Sequence, residues 1–487
     1  MKHIETDYLI IGSGAAGLAF ADTLMDESNA HITIVDRHGK PGGHWNDAYS
    51  FVTLHQPSAF YGVNSMALGA NRKDTVGANK GLYELASGAE VSGYFDRLMN
   101  QKLLPSGRVS YHPMCNYAGD FQSSHRFTSI LSGAETQVTV RKKIVDATYY
   151  SPTVPSTHTP KYKVAPGVRL VTPNALAHLW QGKAARPKHF MIIGAGKTAM
   201  DVGVWLLNAG AQPADISWVM PRDSWLVNRL QTQPGMEFFN DAIGGQANQM
   251  EALAKASNID DLFDRLEACD AMLRIDTTRK PSMFHFATIS KGEVELLRTI
   301  RNVIRLGRVQ SIEADALVLD QGSVRLSADT LCIDCTASAV EQRAIAPIFQ
   351  GNKLLLQLVR VPLPTFSAAL IAYVEAHYKD DENDATKNRL CGTVPFPDSL
   401  DSYPRSIMAN MMNQFHWSQD KVLRTWIRDS RLDGFGKLLA SAAPADQEKQ
   451  AILMKLKECA MAAMANIPKL KGSGKASGLA VQASTSA

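Results

Sequence analysis

The stretch Tyr8-Leu-Ile-Ile-Gly12-Ser-Gly14-Ala-Ala-Gly17-Leu-Ala-Phe20 constrains the fold more than any other part of the chain. An apolar run that ends on glycines spaced G-x-G-x-x-G is a buried parallel strand turning into a helix. Gly12 makes the tight turn, Gly14 admits a pyrophosphate against the backbone, and Gly17 lets helix and strand pack closely. The positive helix N-terminus then faces the diphosphate. A second strand, Ile32-Thr-Ile-Val, ends on Asp36, about twenty residues past the glycines, where a carboxylate accepts hydrogen bonds from a ribose diol. This geometry suits FAD and NAD alike.

Lys40-Pro-Gly42-Gly43-His44-Trp45 follows directly and continues into Leu54-His55-Gln56-Pro57-Ser58. Paired glycines let backbone press on a flat ring system, and a tryptophan supplies a wall for it. On these residues the start of the chain resembles the FAD half of the flavin-containing and Baeyer–Villiger-type monooxygenases. The resemblance implies that Gly12, Gly14, Gly17, Asp36, Gly43, His44 and Trp45 hold FAD. It also implies that His55 and Gln56 bring polar side chains to the oxygen-reactive edge of the flavin.

A second cradle occurs at Ile192-Ile193-Gly194-Ala-Gly196-Lys197-Thr198-Ala199, again strand, glycine turn and helix. Two cradles call for two nucleotides. The next strand, Ile216 to Met220, runs into Pro221-Arg222-Asp223, so a guanidinium stands where the first cradle has a carboxylate. Arg222 fits a 2′-phosphate and points to NADPH, while Asp223 keeps NADH open. Gly194, Gly196, Lys197 and Thr198 are the remaining candidates to hold this dinucleotide.

Between the cradles, Arg126 to Leu131, Gln137 to Arg141 and Lys143 to Thr148 read as three short strands. Asp146-Ala147-Thr148-Tyr149 is similar to the family's Ala-Thr-Gly exit, with tyrosine in the glycine position, and the following prolines mark a linker. Cys332-Ile-Asp-Cys335-Thr336-Ala337 matches the second such motif, where the resemblance has the chain re-enter the FAD unit. Cys332 and Cys335 lie on a strand, where residues three apart face opposite sides, so they do not read as a redox pair. An insertion from Ser224 to Ser290 carries Leu262, Leu266, Cys269 and Leu273 on one helical face. The family's Phe-x-Gly-x-x-x-His fingerprint is absent; Gly167 to His178 stands in its place.

The expected fold is α/β, with two Rossmann-like three-layer dinucleotide-binding domains, the NADP domain inserted in the FAD domain, and a helical C-terminal region. The boundaries read as 1–160 for the first part of the FAD domain, 161–315 for the NAD(P) domain and 316–345 for the FAD return. A helical region follows over 346–470, with a disordered tail at 471–487.

Function classes narrow further with charge and cysteine usage. Among 487 residues, 51 basic against 47 acidic side chains give +4, and no run of like charges points to nucleic acid. Six scattered cysteines suit a reducing compartment. Neither a signal peptide nor a membrane span is apparent, which reads as cytoplasmic. Metal-ligand spacing and a hydrolase elbow are likewise missing. The expected partners are a small-molecule substrate and molecular oxygen. The expected chemistry is an NADPH-using flavoprotein monooxygenase working through a peroxyflavin. A reductase that passes electrons to a quinone or carrier, or a nucleotide-sensing scaffold without turnover, are the alternatives.

Overall fold

The computed structural model describes residues 2–150, 152–179, 181, 186–338 and 343–471. The expected disordered tail lies, but for its first residue, outside them.

The first glycine unit forms as its sequence demands. Strand Lys2–Ile11 leads into helix Ala15–Glu27 and pairs in parallel with Ile32–Val35, Tyr8 opposite Ile32. Val109–His112 extends the sheet on that side. On the other, Glu135–Asp146 and then Lys353–Leu355 pair in parallel. The direction of strand addition therefore reverses beside Lys2–Ile11, and ligands in such sheets bind in the crevice at the carboxyl ends there. Side-chain alternation explains why both faces are covered. Tyr8, Ile10, Ile32 and Ile34 join one apolar cluster with helix Ala15–Glu27 and helix Pro364–His377. Leu9, Ile11 and Val35 join another, under the hairpin Cys115–Tyr117 and Arg126–Ser129.

The second unit repeats the plan. Its five-stranded parallel sheet runs Asn302–Ile304, Ile216–Val219, His189–Ile193, Thr330–Asp334, Leu170–Val171. Helix Lys197–Asn208 covers one face. A small meander, Val309–Ile312, Ala316–Leu319 and Gly322–Arg325, covers the other. Two Rossmann-like units, one inserted in the other, are thus the architecture.

Several expectations need correction. The segment 316–334 belongs to the second unit, because Thr330–Asp334 pairs with His189–Ile193, Asp334 opposite Ile193. The return to the first sheet is Lys353–Leu355, inside the region expected to be helical, and Pro364–His377 then packs on Ala15–Glu27. A buried parallel strand carries no label saying which sheet it joins. The two strands expected over Gln137 to Arg141 and Lys143 to Thr148 are one, Glu135–Asp146, whose Lys143 is buried against Glu375. In the insertion, helix Ile259–Ala268 stops at Cys269, and Asp270 at φ 57° turns the chain. Leu273 therefore lies in a short strand, in a three-stranded sheet with Ser224–Asn228 and Met283–Ile289.

Beyond residue 400 the chain forms helix Ser402–Gln419, helix Lys421–Asp429, helix Phe435–Ala440 and helix Gln447–Asn466. Helix Gln447–Asn466 packs on helix Gly245–Lys255 of the insertion.

Candidate dinucleotide and flavin cleft

The first cradle is shaped by contacts that only glycine permits. Gly12 has φ 104°, and a Cβ on Gly17 would lie 2.1 Å from the Gly12 carbonyl oxygen. Gly43, at φ 58°, brings its backbone against Gly14: a Cβ on Gly43 would stand 2.9 Å from the Gly14 Cα. Gly42 N–H donates to Ser13 O at 2.8 Å, which ties the Gly-Gly segment to the glycine turn. Helix Ala15–Glu27 has no side-chain cap and no acidic residue in its first turn, so its N-terminal amides face the crevice free for an anion. These features fit a bound dinucleotide.

Asp36 is only 6% exposed. Its Oδ2 accepts from Ser13 N (2.5 Å) and Ser13 Oγ (2.9 Å). Its Oδ1 takes His38 N (2.8 Å) and lies 2.9 Å from His38 Nδ1, while His38 Nε2 is 3.0 Å from Asp47 Oδ2. A carboxylate has about four acceptor sites, and protein groups occupy them. A ribose diol reaches Asp36 only if the Ser13 hydroxyl or the His38 ring swings aside; Tyr111 OH, 3.3 Å from Ser13 Oγ, offers the hydroxyl a second partner. His38 carried no signal in the sequence beyond its position two residues after the acid.

Trp45 is buried, with its Nε1 donating to Tyr61 OH at 2.8 Å and His44 stacked on it at 5.2 Å. Burial lowers the His44 pKa to about 4. His55 is exposed to the cleft yet walled in by protein, and desolvation, with Lys197 and Arg229 adding their charge, lowers its pKa to about 4. Its imidazole is neutral at neutral pH. Neither the His55 ring nor the Gln56 amide is hydrogen-bonded to another described residue. Arg229, fully buried, fixes the His55 backbone: its Nε donates to His55 O at 3.0 Å and its Nη1 to Glu293 Oε2 at 2.6 Å. Against the burial that would raise it, Arg229 and Lys197 pull the Glu293 carboxyl down to about 2.

The second cradle mirrors the first. Gly194 has φ 129°, and a Cβ there would lie 2.6 Å from Cys335 O, while Gly196 has open space around it. The strand exits repeat as well. Thr148 donates through N and Oγ1 to Asp146 Oδ1 (2.9 and 2.7 Å), as Thr336 does to Asp334 Oδ1 (3.1 and 2.6 Å). Tyr149, in the family's glycine position, does not have a positive φ, so a tyrosine fits there without backbone strain. Cys332 and Cys335 fall in different apolar clusters, on opposite faces, and burial pushes the Cys332 thiol up to about 11.

Lys197, expected to reach phosphate, is ion-paired with Asp201 one turn along its own helix. Asp201 in turn accepts from Tyr49 OH at 2.7 Å, Thr198 stands beside the same phenol, and Phe51 stacks on Trp205 at 4.8 Å. The loop after Gly-Gly-x-Trp is therefore docked on the second cradle's helix, with His55 at the seam.

Arg222 is exposed at the end of Ile216–Val219, and its side chain has no hydrogen bond or ion pair to a described residue. Its neighbour Asp223 is clamped by Arg305 through Nε and Nη2, both at 2.9 Å. Arg308 lies close enough to lower the Arg222 pKa, after desolvation, so two guanidinium groups share this corner. Arg308 was missed because it lies some ninety positions along the chain. His178 is exposed, and among the described residues its ring contacts Gln181 at 3.3 Å.

Among the described residues no cluster of histidine, cysteine or carboxylate side chains could hold a metal, and no helix is long and apolar enough to cross a membrane.

The arrangement defines a two-dinucleotide-domain protein, and comparison with solved structures agrees. The polycyclic ketone monooxygenase from Thermothelomyces thermophila superposes with a TM-score of 0.52 over 95% of this chain and 89% of that one, at 14% identity. A profile for NAD(P)-binding Rossmann-like domains matches residues 10–70, around the first cradle. The fold is that of the flavoprotein monooxygenases. The uncharacterized protein Rv2000 of Mycobacterium tuberculosis is 48% identical over 438 residues, covering 90% of this chain and 79% of its own length. Protein Mb2023 of Mycobacterium bovis matches to the same extent. The chain belongs to one family with these mycobacterial proteins.

Proposed function

We propose that the chain is an FAD-dependent, NADPH-using oxidoreductase that places one oxygen atom from O2 in a small organic substrate. The observation that carries this reading is His55 at the seam of the two cradles, cleft-exposed, neutral, and next to Lys197 and Asp201. Bound FAD supplies the redox chemistry, accepting hydride from NADPH and delivering electrons to oxygen. Gly12, Gly14, Gly17 and Gly43 let the flavin nucleotide's pyrophosphate approach backbone, and Asp36 takes its ribose once Ser13 or His38 yields. Gly194, Gly196 and Thr198 form the second turn, while Arg222 with Arg308 pairs with a 2′-phosphate.

His55 and Gln56 offer hydrogen bonds without net charge at the edge of the reacting ring. Preplaced neutral donors of this kind stabilise developing negative charge where water is excluded. Arg229 and the docked Tyr49 loop hold the His55 backbone still, which limits both water entry and drift of the imidazole. The T. thermophila enzyme is named for a polycyclic ketone, and the shared fold supports a carbonyl compound as one substrate class to try.

Rapid mixing of NADPH-reduced, FAD-loaded protein with oxygen tests the reading. The expected result is a transient absorbing species distinct from reduced and oxidised flavin, shortened in life by His55→Ala or Gln56→Ala with release of hydrogen peroxide. Direct reoxidation without a transient, with fast electron transfer to a quinone, would instead assign the chain to the reductases.

A further inference from the structure

The segment Ser430–Phe435, between the C-terminal helices, reaches back across more than 350 residues to the loop that follows His55 and Gln56. Arg431 Nη1 donates to Val63 O at 2.6 Å, and its Nη2 donates to Ala59 O at 3.0 Å and Tyr61 O at 2.9 Å. Among the described residues no carboxylate pairs with it: the nearby Asp22 is taken by Lys102 at 2.7 Å and by Ser65. A guanidinium that spends its donors on three alternate carbonyls of one loop fixes the path of that loop, because its planar fork holds the three oxygens in a set arrangement.

The contacts around it are built for the same purpose. Ser430 Oγ donates to Asn64 Oδ1 at 2.9 Å. A Cβ on Gly434, at φ 63°, would lie 1.7 Å from Phe60, so the segment meets the loop where only glycine fits. Phe435 stacks on Phe60 at 5.6 Å, and Asp433 is ion-paired with the buried Arg360. From the opposite side Tyr94 OH accepts from Val63 N at 2.8 Å and donates to Met66 O at 2.7 Å. The loop is gripped between an element of its own unit and one from the far end of the chain. Its grip passes onward, since Tyr61, whose carbonyl Arg431 holds, accepts from Trp45 Nε1.

We propose that Arg431 is a positioning residue, and that the 430–435 segment is a strap setting the wall of the cleft formed by Trp45, Tyr61 and the loop carrying His55 and Gln56. The functional half of this proposal rests on the reading of the cleft as a flavin site; the structural half does not. Arg431→Met removes all the donors while keeping the alkyl stem. Arg431→Lys keeps the charge but replaces the fork with one ammonium, and serves as the milder variant should the methionine form fail to fold.

Hydrogen exchange of the full chain, without and with added FAD, separates the two halves. In both variants amides of residues 58–66 should exchange faster, by about tenfold or more in Arg431→Met and less in Arg431→Lys, while those of His189–Ile193 keep their rates. On FAD-loaded protein, the fraction of NADPH electrons lost as hydrogen peroxide should rise in the same order, with the KM for NADPH unchanged. Unchanged exchange in residues 58–66 would overturn the strap whether or not flavin binds. Faster exchange with unaltered peroxide release would overturn its role in the cleft. A wild-type chain that takes up no FAD, with the variants still showing the exchange pattern, would retain the strap and reject the flavin reading.

Discussion

The Tyr49 hydroxyl and the Asp201 carboxylate meet at 2.7 Å across the junction of the two dinucleotide-binding units. Because Lys197 holds the other oxygen of the same carboxylate, one acidic residue orders both the loop before His55 and the first turn of the second cradle's helix. Tyr49→Phe removes a hydrogen bond to a charged group, which is worth about 1.5–3 kcal/mol. Urea unfolding should show a loss in that range, and NADPH should reduce the flavin more slowly because the seam loosens. A variant with wild-type stability and reduction rate would mean the contact does not bind the units together.

Acid sensitivity follows from two desolvated imidazoles, the half-buried His44 and the cleft-exposed His55. His44 and His55 have pKa values of about 4 in the folded chain against an ordinary 6.5, so the unfolded chain takes up their protons first as pH falls. Neither costs stability above about pH 6.5. Both drain it progressively from there down to about pH 4, which is the direction expected for a lowered histidine. Glu293, at about 2 against 4.5, loses its contribution only at lower pH. Melting temperature followed from pH 7.5 to 4.5 should fall less steeply in His55→Gln than in wild type; parallel curves would contradict the desolvated environment assigned to His55.

Glu375 sits among buried cations. Tyr8 OH donates to it at 2.8 Å, and Lys143 and Lys387 pair with it at 3.0 and 2.7 Å, with the exposed Asp380 as their shared second partner. Removing one member of a buried pair costs about 3–5 kcal/mol. Glu375→Gln should destabilise by about 3 kcal/mol, with Asp380 retaining part of the charge balance. The double variant Glu375→Gln with Lys387→Met should recover part of that loss in a double-mutant cycle. Additive losses would show that the charges act independently.

Coenzyme choice should lie with the arginine corner. Pairing a guanidinium with a 2′-phosphate is worth about 1.5–3 kcal/mol, or about ten- to a hundredfold in affinity. Arg222→Ala should lower the NADPH-to-NADH ratio of reduction rates by that order, and Arg308→Ala by less. An unchanged ratio in both would place phosphate recognition elsewhere.

Local chemistry was legible in the sequence, and long-range partnership was not. The glycine turns declare themselves because Gly12 and Gly194 need positive φ and Gly17 has no room for a Cβ, all of which are short-range demands. The owner of Thr330–Asp334 was hidden, since its residues suit either sheet. The break expected between Arg141 and Lys143 does not occur, and the partner that buries Lys143, Glu375, stands 232 positions away. Tyr49–Asp201, the approach of Arg308 to Arg222 and the Arg431 strap are of the same kind: Tyr49, Arg308 and Arg431 are unremarkable until folding delivers what they face.

The central claim, two nucleotides meeting at one cleft, is tested most directly by adding FAD to the purified chain and titrating NADPH without oxygen. The account predicts a bound flavin whose visible band bleaches with NADPH. It further predicts a Gly14→Val chain that folds but stays colourless, because the valine methyls crowd the face of the glycine turn that the pyrophosphate must approach. A wild-type chain that binds no FAD, or full flavin occupancy in Gly14→Val, would contradict it.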